Sequence, residues 1–389
     1  MKIVHICLNG TVTDGFSYQD NLLPKFHKEL GNEVVVIASL YSLNTNAKLV
    51  KLSKEIMKYK NEYGITVYRI PNILNTNDKS KFKRYINFIS ILEQESPDII
   101  FLHDFQLVDS KQVIRYVKRH KKVIVYADNH ADYSNSARNW LSKNILHKII
   151  WRHYARKLNP YVKKFYGVTP ARVDFLTDLY KLPKEKCELL VMGADNEFVE
   201  KSKTTNSRKA IRDKYKILDD DFLIVTGGKI DLEKKQTILL MEAVKKIDNP
   251  KVKLIVFGSV VNELKPKIEE LTHGCDNVLY VGWISSEQSY DYFEAADLVV
   301  FPGRHSVFWE QVVGQGKPMI VKYWDGTTHV DLGGNVEFLY NDSVEEIEKK
   351  LLCVMQPTVI SKMKEVAEQE GMQMFSYKEI ARRSIELNR

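Results

Sequence analysis

Short apolar runs alternate with amphipathic helical stretches along nearly the whole chain, and the pattern occurs twice. In the first half, residues 2–8, 33–38, 65–70, 98–102 and 123–127 read as strands. Residues 18–30, 81–94 and 111–118 carry helical periodicity between them, and Gly31 closes the first. In the second half the strands are 222–226, 252–257, 278–281, 298–301 and 319–321, separated by helical stretches at 237–246, 265–271, 286–295 and 308–314. These strands are continuous apolar runs, so both of their faces must be covered, as in a parallel sheet with helices on either side. The expectation is an α/β chain of two Rossmann-like, doubly wound domains facing a cleft, with ligands at the carboxyl ends of the strands. The polar stretch 201–207 reads as the linker, giving domains 1–200 and 201 onward, and 389 residues suffice for both.

Several function classes drop out. No G-x-G-x-x-G follows a strand, which argues against an NAD- or FAD-binding domain. No run of about 18 apolar residues is present, so no membrane span is expected. Residues 1–10 lack the features of a secretory signal. Cys7, Cys187, Cys275 and Cys353 lie far apart without C-x-x-C spacing. The expected setting is the reducing cytoplasm.

The net charge of +8 is uneven. Residues 1–200 hold 31 Lys and Arg against 21 Asp and Glu, and the remainder 27 against 29. The first half therefore suits an anionic partner or surface. Within it, residues 142–166 contain seven Lys and Arg, no acid, and an interleaved Ile145, Ile149, Trp151 and Tyr154. Either this segment lies on an anionic membrane, making the protein peripheral at the inner face, or its isoleucines face the core. No nucleic-acid recognition motif accompanies the charge.

The segment 301–318 joins two strands through the turn Pro302-Gly-Arg-His-Ser306 and a short helix with one acid, Glu310. A strand feeding a helix N-terminus favours a phosphate. A carboxylate one turn in, four residues after Ser306, can take two ribose hydroxyls. The alternative is an ordinary strand–helix junction with a solvent-facing Glu. Gly227 and Gly228 let the backbone approach a ligand. Lys229 with Lys235 (or Lys234) suits a diphosphate, unless these are a solvated turn. His130 ends a strand and can donate to a sugar hydroxyl or accept a proton near neutral pH, or be a satisfied structural histidine. His103 also ends a strand and reads as a loop residue. Gly15 permits close approach in the first strand–helix connection, or simply makes a turn. Asp219-Asp-Asp221 reads as a turn at the far edge, and no metal is expected.

Together these segments resemble the retaining glycosyltransferases of family four, the group 1 glycosyl transferases of GT-B fold. Gly31-Asn-Glu-Val-Val-Val-Ile37 is similar to their Gly-His-Glu-Val strand, and Met192-Gly-Ala-Asp195 to the Asn-Gly-Val-Asp that ends their first domain. Gly228-Lys229-Ile230 through Lys235 resembles their Gly-Arg-Leu…Lys-Gly, whose Arg and Lys hold the donor diphosphate. Residues 276–284 resemble the segment whose backbone reads the base. Glu310 through Pro318 resembles the last Glu of Glu-x7-Glu and the Gly-x-Pro beyond it. His130 matches the first-domain His that contacts the donor sugar.

The resemblance implies a donor site of Gly228, Lys229, Lys235, Trp283, Ile284, His305, Ser306, Val307 and Glu310. It implies catalytic roles for His130, His305 and Glu310, and an acceptor side near Gly15 and His103. Residues 370–389 would cross back onto domain 1–200, leaving 201–369 for the donor. The implied reaction needs no metal or other cofactor. It moves a sugar from a nucleotide sugar, UDP-linked, to a glycan or polyprenyl-diphosphate-linked acceptor of surface-polysaccharide synthesis. Three departures stand out. Pro302 occupies the place of the first Glu. Lys229 replaces Arg and loses its bidentate fork. Gln236 replaces a Gly. These keep two other readings open: a binding-only relative without catalysis, and a nucleotide-sugar epimerase on the same fold.

Overall fold

A computed structural model describes residues 1–44, 48–74, 82–232 and 235–386. The chain divides into two compact units, Met1–Val191 with Ile380–Arg389, and Met192–Glu379. The first carries strands β1 (Lys2–Cys7), β2 (Glu33–Ser39), β3 (Tyr41–Leu43), β4 (Leu49–Lys51), β5 (Met57–Lys60), β6 (Thr66–Ile70), β7 (Ile99–Leu102), β8 (Ile124–Asn129), β9 (Lys164–Gly167) and β10 (Cys187–Leu189). Its main sheet runs β10-β9-β8-β7-β1-β2-β6-β5 and is parallel except for β5 at the edge. β3 and β4 pair antiparallel outside it. The central register, Lys2↔Glu33 on one side of β1 and Ile3↔Ile99 on the other, stacks the apolar runs. Ile6, Ile37, Ile100, Leu102 and Val125 are thereby buried beneath flanking helices.

The second unit carries β11 (Phe222–Gly227), β12 (Val252–Phe257), β13 (Val278–Gly282), β14 (Leu298–Phe301), β15 (Met319–Lys322) and β16 (Val336–Leu339). All pair in parallel, in the order β13-β12-β11-β14-β15-β16. Counted within the unit this is 3-2-1-4-5-6, the Rossmann order, with its topological switch between β11 and β14.

Two local expectations change. Helix was expected over 81–94. Residue 81 lies outside the described residues, and the helix begins only at Ile89 and ends at Glu95. Before it, the N–H groups of Tyr85 and Phe88 are taken by the Asp109 carboxylate and the Gln112 side-chain oxygen. Side-chain acceptors hold these buried aromatics in an irregular segment. The supposed linker 201–207 is helical through Thr204, as part of the helix Asn196–Thr204, and a new helix starts at Ser207. Asp195 caps the first by accepting from the Glu197 N–H. Lys201, Lys203 and Thr204 are on the exposed face of that helix, and Ser202 is buried.

Candidate functional site

The switch point of the second sheet forms a narrow crevice. On one side lie Gly227, Gly228 and Lys229 at the end of β11, and on the other Pro302, Arg304 and Ser306 after β14. Its enclosed space is about 20 Å³, room for a water-sized group, so a larger ligand would lie along the mouth. Backbone packing builds this edge. A Cβ at residue 258 would meet the Gly228 carbonyl oxygen at 1.8 Å, and one at residue 227 would meet the Phe257 ring at 2.1 Å. Gly228 and Gly258 also have φ of 121° and 127°, conformations that favour glycine. The Gly258 N–H donates to the Gly282 carbonyl at 2.7 Å, which joins the β13 end to the same edge. Beyond Gly282, Trp283 stands exposed and Ile284 half-buried.

Lys229 is exposed at the mouth, 3.2 Å from Asp231. Lys235 sits at the start of the helix Gln236–Ile247 and does not line the crevice, and Lys234 lies outside the described residues. Ser306 and Val307 precede the helix Phe308–Gly314, which is only seven residues long. Glu310 is fully buried and faces away from the solvent-facing position that an ordinary junction would give it. Its Oε1 accepts from His305 Nε2 at 2.7 Å and from His329 Nε2 at 3.0 Å, while Oε2 is buried without a hydrogen-bond partner. Burial pushes the carboxyl up, but the charge and hydrogen bonds of His305 and His329 outweigh it and hold Glu310 well below the usual range. The three residues could also present ligand atoms to a cation, all within 4.8 Å of one another.

In the first unit, the carboxyl edge of β1, β7 and β8 carries Gly15, His103 and His130. Gly15 is exposed in a left-handed turn (φ 78°), its N–H held by Glu62 at 2.8 Å. His130 is half-buried, its N–H donating to Asp104 Oδ1 at 2.9 Å, with Nε2 3.7 Å from Asp128 Oδ2. Burial works against a charged ring, but Asp104 and Asp128 outweigh it and raise the pKa above its ordinary value. His103, read as a loop residue on the acceptor side, is instead buried, with Nδ1 2.8 Å from Asp128 and 3.1 Å from Asp20. A buried ring held by two carboxylates does not meet an acceptor directly.

Sequence reasoning passed over Arg304, His329 and Asp128. Arg304 showed as a cation in a glycine turn, a signal that was available. His329 is 19 residues from Glu310, on a short turn after β15, and no local pattern marks it.

Residues 207–311 match the family described as glycosyl transferases group 1. No curated protein matches the chain's sequence. Among solved structures, a glycosyltransferase from Rickettsia africae is 15% identical, with 99% of this chain and 97% of that chain covered at a TM-score of 0.67. HepE from Anabaena, solved in complex with UDP, is 16% identical, with 99% of each covered at 0.69. A UDP-GlcNAc 2-epimerase from Neisseria meningitidis, bound to UDP-GlcNAc, is 14% identical, with 99% of each covered at 0.64. The family match spans the β11–β14 crevice, and the likeness to these structures shows the fold, two Rossmann-like parallel-sheet units of the GT-B kind.

Proposed function

We propose that this protein transfers a hexosyl group from a nucleoside diphosphate sugar, with UDP as carrier, to a hydroxyl of a glycan or polyprenyl-diphosphate-linked acceptor. The transfer retains the anomeric configuration and uses no metal. The observation that carries this reading is the crevice at the switch point of the second sheet, a position where open α/β sheets bind nucleotides, inside the matched residues 207–311. Glycines there bring backbone close to a ligand, and Lys229 and Arg304 flank the mouth. As the bond from the anomeric carbon to the diphosphate breaks, charge grows on the departing oxygen, and these cations stabilise it. HepE was solved with UDP, which favours uridine as the base.

In this reading Glu310 acts through its neighbours. It holds the His305 ring at the crevice's edge, and His305 meets the donor sugar. The acceptor side is the carboxyl edge of the first unit's sheet, near Gly15 and His130. Exposed Trp140, Leu141 and Ile149 lie among Lys143, Lys148, Arg156 and Lys157, which suits a peripheral position on an anionic membrane. No helix among the described residues is long and apolar enough to cross a membrane.

A thermal-shift and calorimetric screen against UDP-, GDP-, ADP- and CMP-sugars tests the reading. A rise in melting temperature with UDP-sugars is expected, and binding of none of the four would overturn it. The similarity to a 2-epimerase supports the second reading, which predicts conversion of the donor with no acceptor present.

A further inference from the structure

A continuous chain of histidines runs through the interior of the first unit. The His27 Nε2 lies 3.0 Å from the Ala381 carbonyl oxygen and 2.8 Å from Ser384 Oγ. The Ser384 hydroxyl itself donates to that carbonyl. His27 Nδ1 lies 3.0 Å from His5 Nε2, and His5 Nδ1 lies 2.9 Å from His103 Nε2. His103 Nδ1 then sits between Asp128 Oδ2 and Asp20 Oδ1, in line with neither. All three rings are buried.

The groups at the two ends bias the protonation of this chain. Both ends are acceptors: a carbonyl at one and carboxylates at the other. Between them lie three hydrogen bonds, for which three neutral imidazoles carry the protons, and then the close approach of His103 Nδ1 to Asp128 at 2.8 Å and Asp20 at 3.1 Å. With the Ala381 carbonyl fixing the proton of His27 at Nε2, His5 must donate from Nε2 and His103 from Nε2. A neutral His103 would then aim a lone pair at two carboxylates. Asp128 is held as a carboxylate: its oxygens accept from the Asp104 N–H at 2.7 Å and the Gln19 amide at 3.2 Å, and against the effect of burial His103 and His130 keep its carboxyl well below the usual range.

We propose that His27, His5 and His103 form a one-proton relay linking the C-terminal segment Ile380–Glu386 to the Asp128–His130 edge, and that His103, as its imidazolium, is a positioning residue for His130. Asp128 transmits the effect: its Oδ2 lies 2.8 Å from His103 Nδ1 and 3.7 Å from His130 Nε2, and its Oδ1 holds the Asp104 N–H. The ionisable groups around His103 are Cys7 and His5 on β1, Asp20 on the helix Gln19–Glu29, Asp104 beside it, and Asp128 and His130 at the β8 end. Burial opposes the charge on His103, and the facing carboxylates of Asp128 and Asp20 outweigh it. Burial lowers His27 to about 3 and His5 well below the ordinary value, so both stay neutral. Burial also pushes the Cys7 thiol up to about 11.

The signs follow. The raised His103 contributes stability that is complete below about pH 6.5 and lost as pH rises through its higher folded value. The lowered His5 and His27 contribute above about pH 6.5 and lose that contribution as pH falls.

The test is ¹⁵N–¹H spectroscopy of the full-length, histidine-labelled protein, in wild type, His27→Gln and His27→Phe. In the wild type, His103 should carry protons on both nitrogens at pH 7, with His5 and His27 in the Nε2–H form. Glutamine can donate to Ala381 and accept from His5, so His27→Gln should keep His103 charged. Phenylalanine removes the acceptor, lets His5 adopt the other tautomer and frees the chain of its extra proton. In that variant His103 should lose at least tenfold in proton affinity, and the His130 titration should move with it. A neutral His103 at pH 6 in the wild type overturns the proposal even where a variant does not fold. So does an unchanged His103 titration in all three proteins, or a His103 shift reversed by a chelator, which would mean a metal held with Cys7 and Asp20. The readout does not involve glycosyl transfer, so its failure is distinct from a failure to bind nucleotides.

Discussion

His305 and Glu310 form a buried acid–imidazole pair, with His305 Nε2 donating to Glu310 Oε1 at 2.7 Å across the start of one short helix. His329 donates to the same oxygen from a separate turn. The carboxylate is thus the anchor of the loop that carries Arg304 and Ser306, and removing it should disturb that loop as well as any ligand.

Glu310→Ala should therefore cost about 3–5 kcal/mol of stability, because it strands two inward-pointing imidazoles. Glu310→Gln keeps an acceptor without the charge and should cost about 1–2 kcal/mol, the difference between charged and neutral hydrogen bonds. Since the folded Glu310 pKa is depressed, its contribution is present above about pH 4.3 and is lost as pH falls toward the folded value. Urea melts of wild type and Glu310→Gln between pH 3 and 7 should show a gap that narrows at the acid end. Equal stability at pH 7 would show that the pair does not anchor the loop.

Gly258→Ala should damage the crevice from outside it. The new Cβ would meet the Gly228 carbonyl oxygen at 1.8 Å, on a residue with φ of 127°. The conformation alone costs about 1–3 kcal/mol, and the β11 turn must also shift. A lower denaturation midpoint together with weakened nucleotide binding is expected. Wild-type behaviour in both would mean that the turn does not hold the ligand edge.

The strands β11, β12, β14 and β15 of the second sheet were legible because they are continuous apolar runs that cannot face water. β5 was not, because Met57–Lys60 is an edge strand with alternating Lys and no buried face. The Lys229 side of the crevice could be read from a glycine turn after a strand. The groups that hold Glu310 and His103 could not. His5 sits inside an apolar strand and His27 in an amphipathic helix, and they gain meaning only when β1, the helix Gln19–Glu29 and the C-terminal segment meet. Their partners stand 98 and 354 residues away. Local pattern records which face is buried, and it carries no record of which polar groups meet in the interior.

The basic helical face of the first unit gives a prediction independent of the donor site. Lys148, Arg156 and Lys157 are exposed beside Ile149, whereas the Arg152 Nε donates to the Leu179 carbonyl at 2.6 Å and so belongs to the fold. Replacing Lys148, Arg156 and Lys157 with Glu should abolish co-sedimentation with anionic phospholipid vesicles, at about 1 kcal/mol per charge. Neutral vesicles should bind neither protein, and the melting temperature should hold. Undiminished binding to anionic vesicles would remove this face from the membrane reading.

Lys229 and Arg304 provide the sharpest separation between a nucleotide site and an ordinary charged turn. Both line the crevice mouth. Lys229 is mostly exposed and its pairing with Asp231 at 3.2 Å is a surface contact, worth little to stability. Alanine at position 229 should leave the urea midpoint unchanged. A charge-assisted hydrogen bond to phosphate contributes about 1.5–3 kcal/mol, so alanine at either position should weaken UDP binding roughly 10- to 100-fold. Uridine, which lacks the diphosphate, should bind wild type and variants alike. The UDP difference should shrink as salt rises, because the lost term is a screened charge at an open mouth. If UDP affinity is the same in wild type and both variants, the cations do not hold a diphosphate, and the charge stabilisation assigned to them in the transfer step is wrong.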